Sequence, residues 1–225
     1  MRKLCIIPAR GGSKRIPHKN IVDFYGKPLI WWTIEAALHA RVFDTIYVST
    51  DDGEIADQCW KFPIEIIMRN GYSDDQTTVQ QATIQTIKQI EEERRQKFDM
   101  VTQLMPTCPL RTAMDIKLAY ENFITNYSNF QLSFCEFAVS PYWAVKLDHD
   151  KPKPLFPKQI KMRSQDLQKL YYPTGAIWIA NIKELIKQGT FYGKGYDMYE
   201  IDRTHGIDID TFQDLEHARK LMEAK

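Results

Sequence analysis

A short basic segment near the start of the chain combines the residue types that bind polyphosphate. It holds four cations and two glycines between residues 10 and 19: Arg10, Gly11, Gly12, Lys14, Arg15 and Lys19. Glycines let backbone N–H groups point at one ligand without side-chain obstruction, and clustered cations neutralise phosphate oxygens. A solvated basic turn is the alternative, but a simple turn does not need two glycines and flanking prolines among so many cations. The pattern therefore favours a polyphosphate-binding loop.

The loop differs from the two commonest phosphate-binding motifs. It lacks the Gly-x-x-x-x-Gly-Lys-Ser/Thr pattern of P-loop NTPases, and it lacks the Gly-x-Gly-x-x-Gly pattern of dinucleotide-binding folds. Neither class of protein is supported.

A second candidate site lies near the end of the chain, at Asp208 and Asp210. Apolar Ile207 and Ile209 alternate with the aspartates, so in an extended segment both carboxylates would point to the same side. Paired carboxylates facing a polyphosphate loop suit Mg²⁺, which prefers oxygen ligands. Alone, the pair would more often be an exposed edge strand before a helix cap. Beside the basic loop, the metal site is the better interpretation.

Alternating strands and helices must position these residues. The apolar run at residues 4–7 precedes the basic loop and is typical of a strand buried on both faces of a parallel sheet. Further strands are predicted at 44–50, 64–68 and 100–104, with helices at 29–40 and 54–60 between the first three. Thr77 or Thr78 is expected to cap a helix before the fourth strand, and residues 112–115 show a capping-box pattern that opens another helix after it. A β-α-β-α-β order predicts an α/β three-layer sandwich whose sheet is mostly parallel, with loops and ligands at the carboxyl ends of the strands.

The second part of the chain has a different pattern. Residues 131–140 and 175–179 are predicted strands, residues 182–188 a helix, and Thr211 caps a final helix. Residues 140–170, which we call the arm, carry prolines at 152, 154 and 157 and predict a hairpin-like excursion from the sheet. Residues 189–202 give no clear pattern. We expect one domain over residues 1–225 with the arm protruding from it.

Composition excludes several other classes of protein. The 225 residues carry 30 Lys and Arg against 29 Asp and Glu, so no overall basic field for nucleic acid or membrane is present. No segment is long and apolar enough for a signal peptide or a membrane span. The four cysteines show no zinc-binding spacing and predict reduced thiols. We expect a cytoplasmic protein.

Residues 7–20 resemble the Ile-Pro-Ala-Arg-x-Gly-Ser-Lys-x-x-x-x-Lys-Asn loop of the CMP-N-acetylneuraminate synthetases, or acylneuraminate cytidylyltransferases, which include pseudaminic and legionaminic acid enzymes. The Ile-Asp-Ile-Asp at 207–210 is similar to the family's metal-binding segment. The resemblance implies a nucleotide-diphospho-sugar transferase type of fold with a small dimerisation excursion. It also implies a homodimer that binds CTP and an α-keto sugar acid, with Mg²⁺ as cofactor on Asp208 and Asp210.

Further segments extend the resemblance and imply the site residues. Family motifs are similar to residues 26–29, 48–56, 105–111, 163–166 and 172–177, and to Arg69 with residues 73–74. The implied catalytic residues are Arg10, Lys19, Asp208 and Asp210. The implied nucleotide-binding residues are Arg10, Gly11, Gly12, Ser13, Lys14, Lys19, Asn20, Arg69, Ser73, Met105 and Thr107. The implied sugar-binding residues are Gln103, Arg163, Gln165, Tyr172 and Thr174.

Two of these positions depart from the family pattern. Met105 stands where the family has glutamine, and Thr174 where it has asparagine. Gln103, two residues before Met105, is a candidate substitute for the lost amide. We expect altered contacts to the base or the acceptor, with catalysis retained.

The expected reaction is attack of the anomeric hydroxyl of a nine-carbon α-keto sugar acid on the α-phosphate of CTP, with release of pyrophosphate. Two alternatives stay open: a related acceptor such as 3-deoxy-manno-octulosonate, and a nucleotide-binding module without turnover.

Overall fold

A computed structural model gives the fold and describes residues 1–71 and 77–223. The described strands are β1 Lys3–Ala9, β2 Asp23–Phe24, β3 Lys27–Pro28, β4 Thr45–Thr50, β5 Glu65–Met68, β6 Met100–Gln103, β7 Phe130–Glu136, β8 Val145–Asp148, β9 Lys151–Pro154, β10 Tyr171–Asn181 and β11 Asp197–Glu200. The described helices are α1 Leu29–Ala40, α2 Gly53–Cys59, α3 Val79–Arg94, α4 Ala113–Thr125, α5 Ile182–Gln188 and α6 Phe212–Glu223.

One seven-stranded sheet organises the described chain, in the order β11-β7-β10-β6-β1-β4-β5. β1 is parallel to both β4 and β6, and β4 is parallel to β5. β10 runs antiparallel to β6 and β7. The predicted mostly parallel sheet is therefore confirmed, with β10 as the reversed strand.

β1 is the centre of this arrangement. Its residues from Leu4 to Ala9 are buried, as expected for a strand covered on both faces. The chain proceeds from β1 to β4 on one side and reaches β6 on the other side later. The order thus reverses between β1 and β6, and ligands of open α/β sheets bind at such a reversal, outside the carboxyl ends of the strands.

Helix ends follow the predicted capping signals. Thr78 and Gln81 form a capping box at α3, and Thr112 and Asp115 form one at α4. Asp52 caps α2 by accepting hydrogen bonds from the backbone N–H groups of Glu54 and Ile55. These caps fix where each helix begins: α2 begins directly after β4, whereas α3 and α4 begin further along the chain from the preceding strands.

The arm leaves the sheet after β7 and contains the antiparallel pair β8–β9. Most of its side chains are exposed. The strand predicted at 131–140 ends earlier, at Glu136, because the chain turns into the arm. β11 was missed, since its four residues carry polar and exposed side chains. Within the described residues, no helix has the length and apolar character required to cross a bilayer.

Candidate active site

A cleft of about 490 Å³ opens at the carboxyl ends of β1, β4 and β6. We call it the first cleft. Basic-loop residues line one side and residues 105–107 the other. Its lining comprises Pro8, Arg10, Ser13, Lys14, Arg15, Lys19, Asn20, Arg69, Thr77, Val79, Ala82, Met105, Pro106, Thr107 and Asp210. The fold thus brings the basic loop and one of the paired aspartates, distant in sequence, to the same cavity.

The glycine loop is held by carboxylates that follow β4. The backbone N–H of Gly11 donates to Oδ1 of Asp51 at 2.9 Å. A side chain on Gly11 would place its Cβ only 2.1 Å from Oδ2 of Asp52. Glycine is therefore required at position 11, because the loop passes so close to the N-terminal cap of α2.

Asn20 holds the same loop from the other side. Its side-chain amide donates to the backbone carbonyl of Arg10 at 2.8 Å, and the residue is 5% exposed. Although Asn20 lines the first cleft, this bond uses its amide within the protein. Asn20 therefore positions the loop, and its implied contact with the nucleotide stays a prediction.

Lys19 connects the basic loop to the aspartate segment. Its Nζ donates to Oδ1 of Asp210 and to the backbone carbonyl of Ile209, both at 2.9 Å. A guanidinium nitrogen of Arg15 lies 2.8 Å from the same Asp210 oxygen. The Lys19 side chain is largely buried, at 13% exposure, so this contact is less screened by solvent than a surface ion pair.

Asp208 and Asp210 lie on a segment that belongs to neither a strand nor a helix. The backbone N–H of Ile209 donates to the carbonyl of Thr107 at 2.8 Å, which anchors the stretch beside the loop after β6. Burial raises the pKa of the Asp208 carboxyl, and repulsion from Asp210 and Asp214 adds to the rise, against the opposing effects of Thr107 and Lys19. Asp210 thus acts electrostatically on Asp208, but the two carboxylates line different cavities, so the predicted common facing of the pair is not found.

Arg69 closes the first cleft on the side of β4. Its Nε donates to Oγ of Ser49 at 3.0 Å, and its NH2 donates to the Ser49 carbonyl at 2.9 Å. Burial lowers the pKa of this guanidinium, the nearby Asp51 opposes that effect, and Arg10 lowers the pKa further. The anchoring to Ser49 gives the charged group a fixed position at the cleft wall.

A second cleft of about 380 Å³ lies on the other side of Asp208. Its lining comes from the start of β10, the segment before α6 and α6 itself: Tyr172, Pro173, Thr174, Gly175, Gly206, Ile207, Asp208, Asp214 and His217. Asp208 faces this cleft whereas Asp210 faces the first. The carboxylate pair therefore stands at the boundary between two cavities, each suited to one of two substrates.

A family model described as cytidylyltransferase matches residues 4–225. The chain belongs to the cytidylyltransferase family. The predicted family and the predicted enzyme class, a CTP-dependent nucleotidyltransferase, are therefore confirmed.

Two relatives illustrate the range of this cytidylyltransferase's similarity. It is 39% identical over 224 residues to the pseudaminic acid cytidylyltransferase of Campylobacter jejuni, covering 98% of this chain and 96% of the relative. It is 34% identical over 221 residues to the N-acylneuraminate cytidylyltransferase of Streptococcus agalactiae, covering 96% of this chain and 52% of the relative.

A solved structure of similar fold is the CMP:2-keto-3-deoxy-manno-octonic acid synthetase complexed with CTP. The two chains superpose with a TM-score of 0.74 at 17% identity, over 100% of this chain and 99% of the other. At this identity the similarity supports the fold, and it confirms the predicted architecture.

Gln103 does not lie in either cleft, although the sequence predicted that it contacts the substrate. It is fully buried, and its Oε1 accepts from the hydroxyl of Thr83 at 2.7 Å. It lines neither cleft, because the side chain of Met105 covers it: Nε2 of Gln103 lies 4.0 Å from the Met105 sulfur. The prediction that Gln103 contacts the substrate is therefore corrected to a supporting position beneath Met105.

Three further predicted site residues lie at the clefts, and they differ in how available their hydroxyl groups are to a ligand: Thr107, Tyr172 and Thr174. Thr107 lines the first cleft, and its buried hydroxyl lies beside the Asp208 carboxyl without a hydrogen bond of normal geometry among the described residues. Tyr172 and Thr174 line the second cleft, but the Thr174 hydroxyl is 2.8 Å from that of Ser133 and is 5% exposed as a residue. Of the threonines, Thr107 is therefore the better placed to bind a ligand.

Arg163 and Gln165 lie on the exposed arm, and neither lines a cleft of the single chain. Nε of Arg163 donates to Oδ2 of Asp166 at 2.8 Å. Their assignment to the sugar stays a prediction, and one that needs a second copy of the chain. Ser73 lies outside the described residues.

Several residues at the clefts were missed or given other roles. Thr77, Val79 and Ala82 line the first cleft at the start of α3, and Asp214 and His217 line the second cleft. The helix-capping signals at Thr78 and Thr211 located both helix starts. Which helix start faces a cavity depends on strand order, which single-sequence patterns do not give.

Proposed function

We propose that this cytidylyltransferase joins CTP to a nonulosonic acid, with pseudaminic acid and its relatives as the acceptor class. The observation that carries the proposal is the Lys19–Asp210 contact, which joins a polyphosphate-type loop to a carboxylate pair between two clefts. The 39% identity to a pseudaminic acid cytidylyltransferase supports this acceptor class.

In this proposal the first cleft holds CTP. Arg10, Lys14, Arg15 and Lys19 surround the triphosphate, and Ser13 and Thr107 supply hydroxyl groups. Cations placed where charge accumulates on the departing pyrophosphate stabilise the transition state more than the ground state. Arg69 and the start of α3 then form the part of the cleft available to the nucleoside.

The acceptor occupies the second cleft and presents its anomeric hydroxyl across the Asp208 boundary. The hydroxyl oxygen forms a bond to the α-phosphorus, the bond from that phosphorus to the pyrophosphate oxygen breaks, and the hydroxyl proton passes to solvent water. Most of the rate enhancement then comes from alignment of the two substrates and from fixed charges.

We propose Mg²⁺ as cofactor, held by Asp208 and Asp210. The fit rests on donor chemistry: Asp210 lines the first cleft, Asp208 lines the second cleft beside it, and Mg²⁺ is usually bound by one or two carboxylates with substrate phosphates supplying further ligands. Among the described residues no cluster of three or more His, Cys, Asp or Glu forms a complete metal cage, so the nucleotide must complete the site. A bound Mg²⁺ would neutralise phosphate charge and lower the pKa of the attacking hydroxyl.

We further propose a homodimer built by the arm. Val145, Leu147 and Leu155 on the arm are 47%, 73% and 52% exposed in the single chain. Clustered exposed apolar side chains mark interaction surfaces. In a dimer of this kind the partner's arm would bring the guanidinium of Arg163, which fits a carboxylate, toward the acceptor.

We place this reaction in the cytoplasm, because CTP is a cytoplasmic nucleotide and the cysteines Cys5, Cys59, Cys108 and Cys135 are free thiols in this fold.

The decisive experiment is pyrophosphate release from CTP and Mg²⁺ with a panel of α-keto sugar acids. Release with a nonulosonic acid and not with 3-deoxy-manno-octulosonate is the expected result. CTP binding without release, for every acceptor, would contradict the proposal and favour a nucleotide-binding module.

A further inference from the structure

Met105 lies close to the point where the first cleft approaches the second. It lines the first cleft, and its Cγ and Cβ lie 2.9 and 3.4 Å from the position that a Cβ on Gly175 would occupy. Gly175 lines the second cleft, and the same position is 3.5 Å from Oδ2 of Asp208. A group at the Met105 side chain therefore lies beside the place where the two substrates of the proposed reaction meet.

The backbone of Met105 is fixed from two sides. Its N–H donates to the carbonyl of Gly175 at 3.3 Å. Its carbonyl accepts from the hydroxyl of Thr33 and from a guanidinium nitrogen of the buried Arg111, both at 3.3 Å. Because α1, β10 and the loop before α4 all hold this residue, its partly exposed side chain has a defined position at the first cleft.

The chemistry of that position is apolar. A thioether has no N–H or O–H to donate and accepts hydrogen bonds only weakly. The nearest amide, that of Gln103, is fully buried beneath Met105 and its oxygen is used by Thr83. A hydroxyl pressed against Met105 would lose its bonds to water without replacement, whereas a C–H or methyl group would lose nothing.

We propose that Met105 determines acceptor specificity, by favouring nonulosonic acids that carry hydrogen or methyl in place of a hydroxyl where they touch this side chain. The inference rests on the proposed function and narrows the acceptor class from nonulosonic acids in general to those that lack a hydroxyl at the carbon in contact with Met105. Gly175 contributes to the same specificity, because any side chain at that position would displace the Met105 side chain.

The test compares two acceptors competing in one mixture: pseudaminic acid, a deoxy sugar with a terminal methyl group, and N-acetylneuraminic acid, which is richer in hydroxyls. The ratio of the two CMP-sugars formed gives the ratio of kcat/KM values. Wild type should favour pseudaminic acid. Met105→Gln should shift the ratio toward N-acetylneuraminic acid by up to about 100-fold, because an apolar pocket disfavours an added hydroxyl by roughly that factor.

Met105→Leu is the matched control, since it keeps an apolar side chain and should keep the wild-type ratio. If Met105→Gln turns over too slowly, Met105→Ala gives the second test, because removing the cover exposes the Gln103 amide and should shift the ratio in the same direction.

An unchanged ratio in both Met105→Gln and Met105→Ala, or a wild type that favours N-acetylneuraminic acid, would overturn the inference. Absence of turnover with both acceptors in the wild type would instead contradict the proposed function itself. A merely structural role for Met105 would lower both rates together and leave the ratio in place.

Discussion

The basic loop and the arm differ in the sequence range of the contacts that hold them. The loop is tied by long-range bonds, from Gly11 to Asp51 and from Lys19 to Asp210, across 40 and 191 residues of sequence. The arm is held by its own hairpin and by short-range contacts such as that of Arg163 with Asp166. One chain thus completes the proposed nucleotide side of the site, whereas we expect the acceptor side to be completed by a second copy.

The largest expected effect on the rate comes from removing the long-range ion pair between Lys19 and Asp210. Asp210→Asn removes the charge that faces Lys19 and Arg15, and should lower kcat for pyrophosphate release on the order of 10²–10³-fold. Asp57→Asn, on the exposed face of α2, is the matched control and should retain the wild-type rate. Equal rates for Asp210→Asn and wild type would remove the aspartate from the proposed mechanism.

A subtler change tests whether the loop must be positioned so closely. Gly11→Ala places a methyl group 2.1 Å from Asp52, so the loop must shift. A displacement of this size should lower kcat/KM for CTP by up to about 10²-fold. In Gly12→Ala the added Cβ meets nothing within 4 Å, so its effect should be clearly the weaker of the two. The reverse order, measured by steady-state kinetics, would show that the contact with Asp52 is unimportant.

The arm should show the complementary behaviour. Leu147→Glu combined with Leu155→Glu places charges on the exposed apolar surface, and we expect a monomer by light scattering. CTP binding, measured by calorimetry, should persist, while KM for the acceptor rises roughly tenfold or more as the partner's arm is lost. Trp60→Glu, at a 73% exposed site on the body of the protein, controls for added charge. Loss of CTP binding in the arm variant would break the division between the two regions.

The smallest effect concerns the thiols, which all lie in the body of the protein. Burial raises the pKa of Cys59 to about 12 and that of Cys135 to about 11. At pH 8 these thiols stay protonated and enclosed, so iodoacetamide should react slowly with the folded enzyme and rapidly with all four cysteines in denaturant. Rapid native labelling at Cys59 would contradict the described packing.

The same shifts predict a direction for stability against pH. The folded state binds these thiol protons more tightly than the unfolded chain, whose thiols titrate near the ordinary value of 9.0. Their contribution to the free energy of unfolding is therefore complete below pH 9 and is lost as the pH rises toward 11–12. Denaturant titrations at pH 8 and pH 10.5 should show the decrease.

The sequence by itself determined the local structure and the chemical types. The run before Arg10, the glycines after it and the capping residues at Thr78, Thr112 and Thr211 each act over a few neighbouring positions. The motif at 7–20 was long enough to identify the family, because its cations and glycines have the same order and spacing as in the family loop.

Tertiary structure alone decided which of these residues meet. Gln103 and Met105 are two residues apart, yet the order of β6, β1 and β10 buries Gln103 and leaves Met105 lining the first cleft. Asn20 proved to hold Arg10, and Asp51 to hold Gly11. Such contacts join residues far apart in the chain, and the pairing of distant strands that creates them leaves no periodic signal in the sequence near either residue.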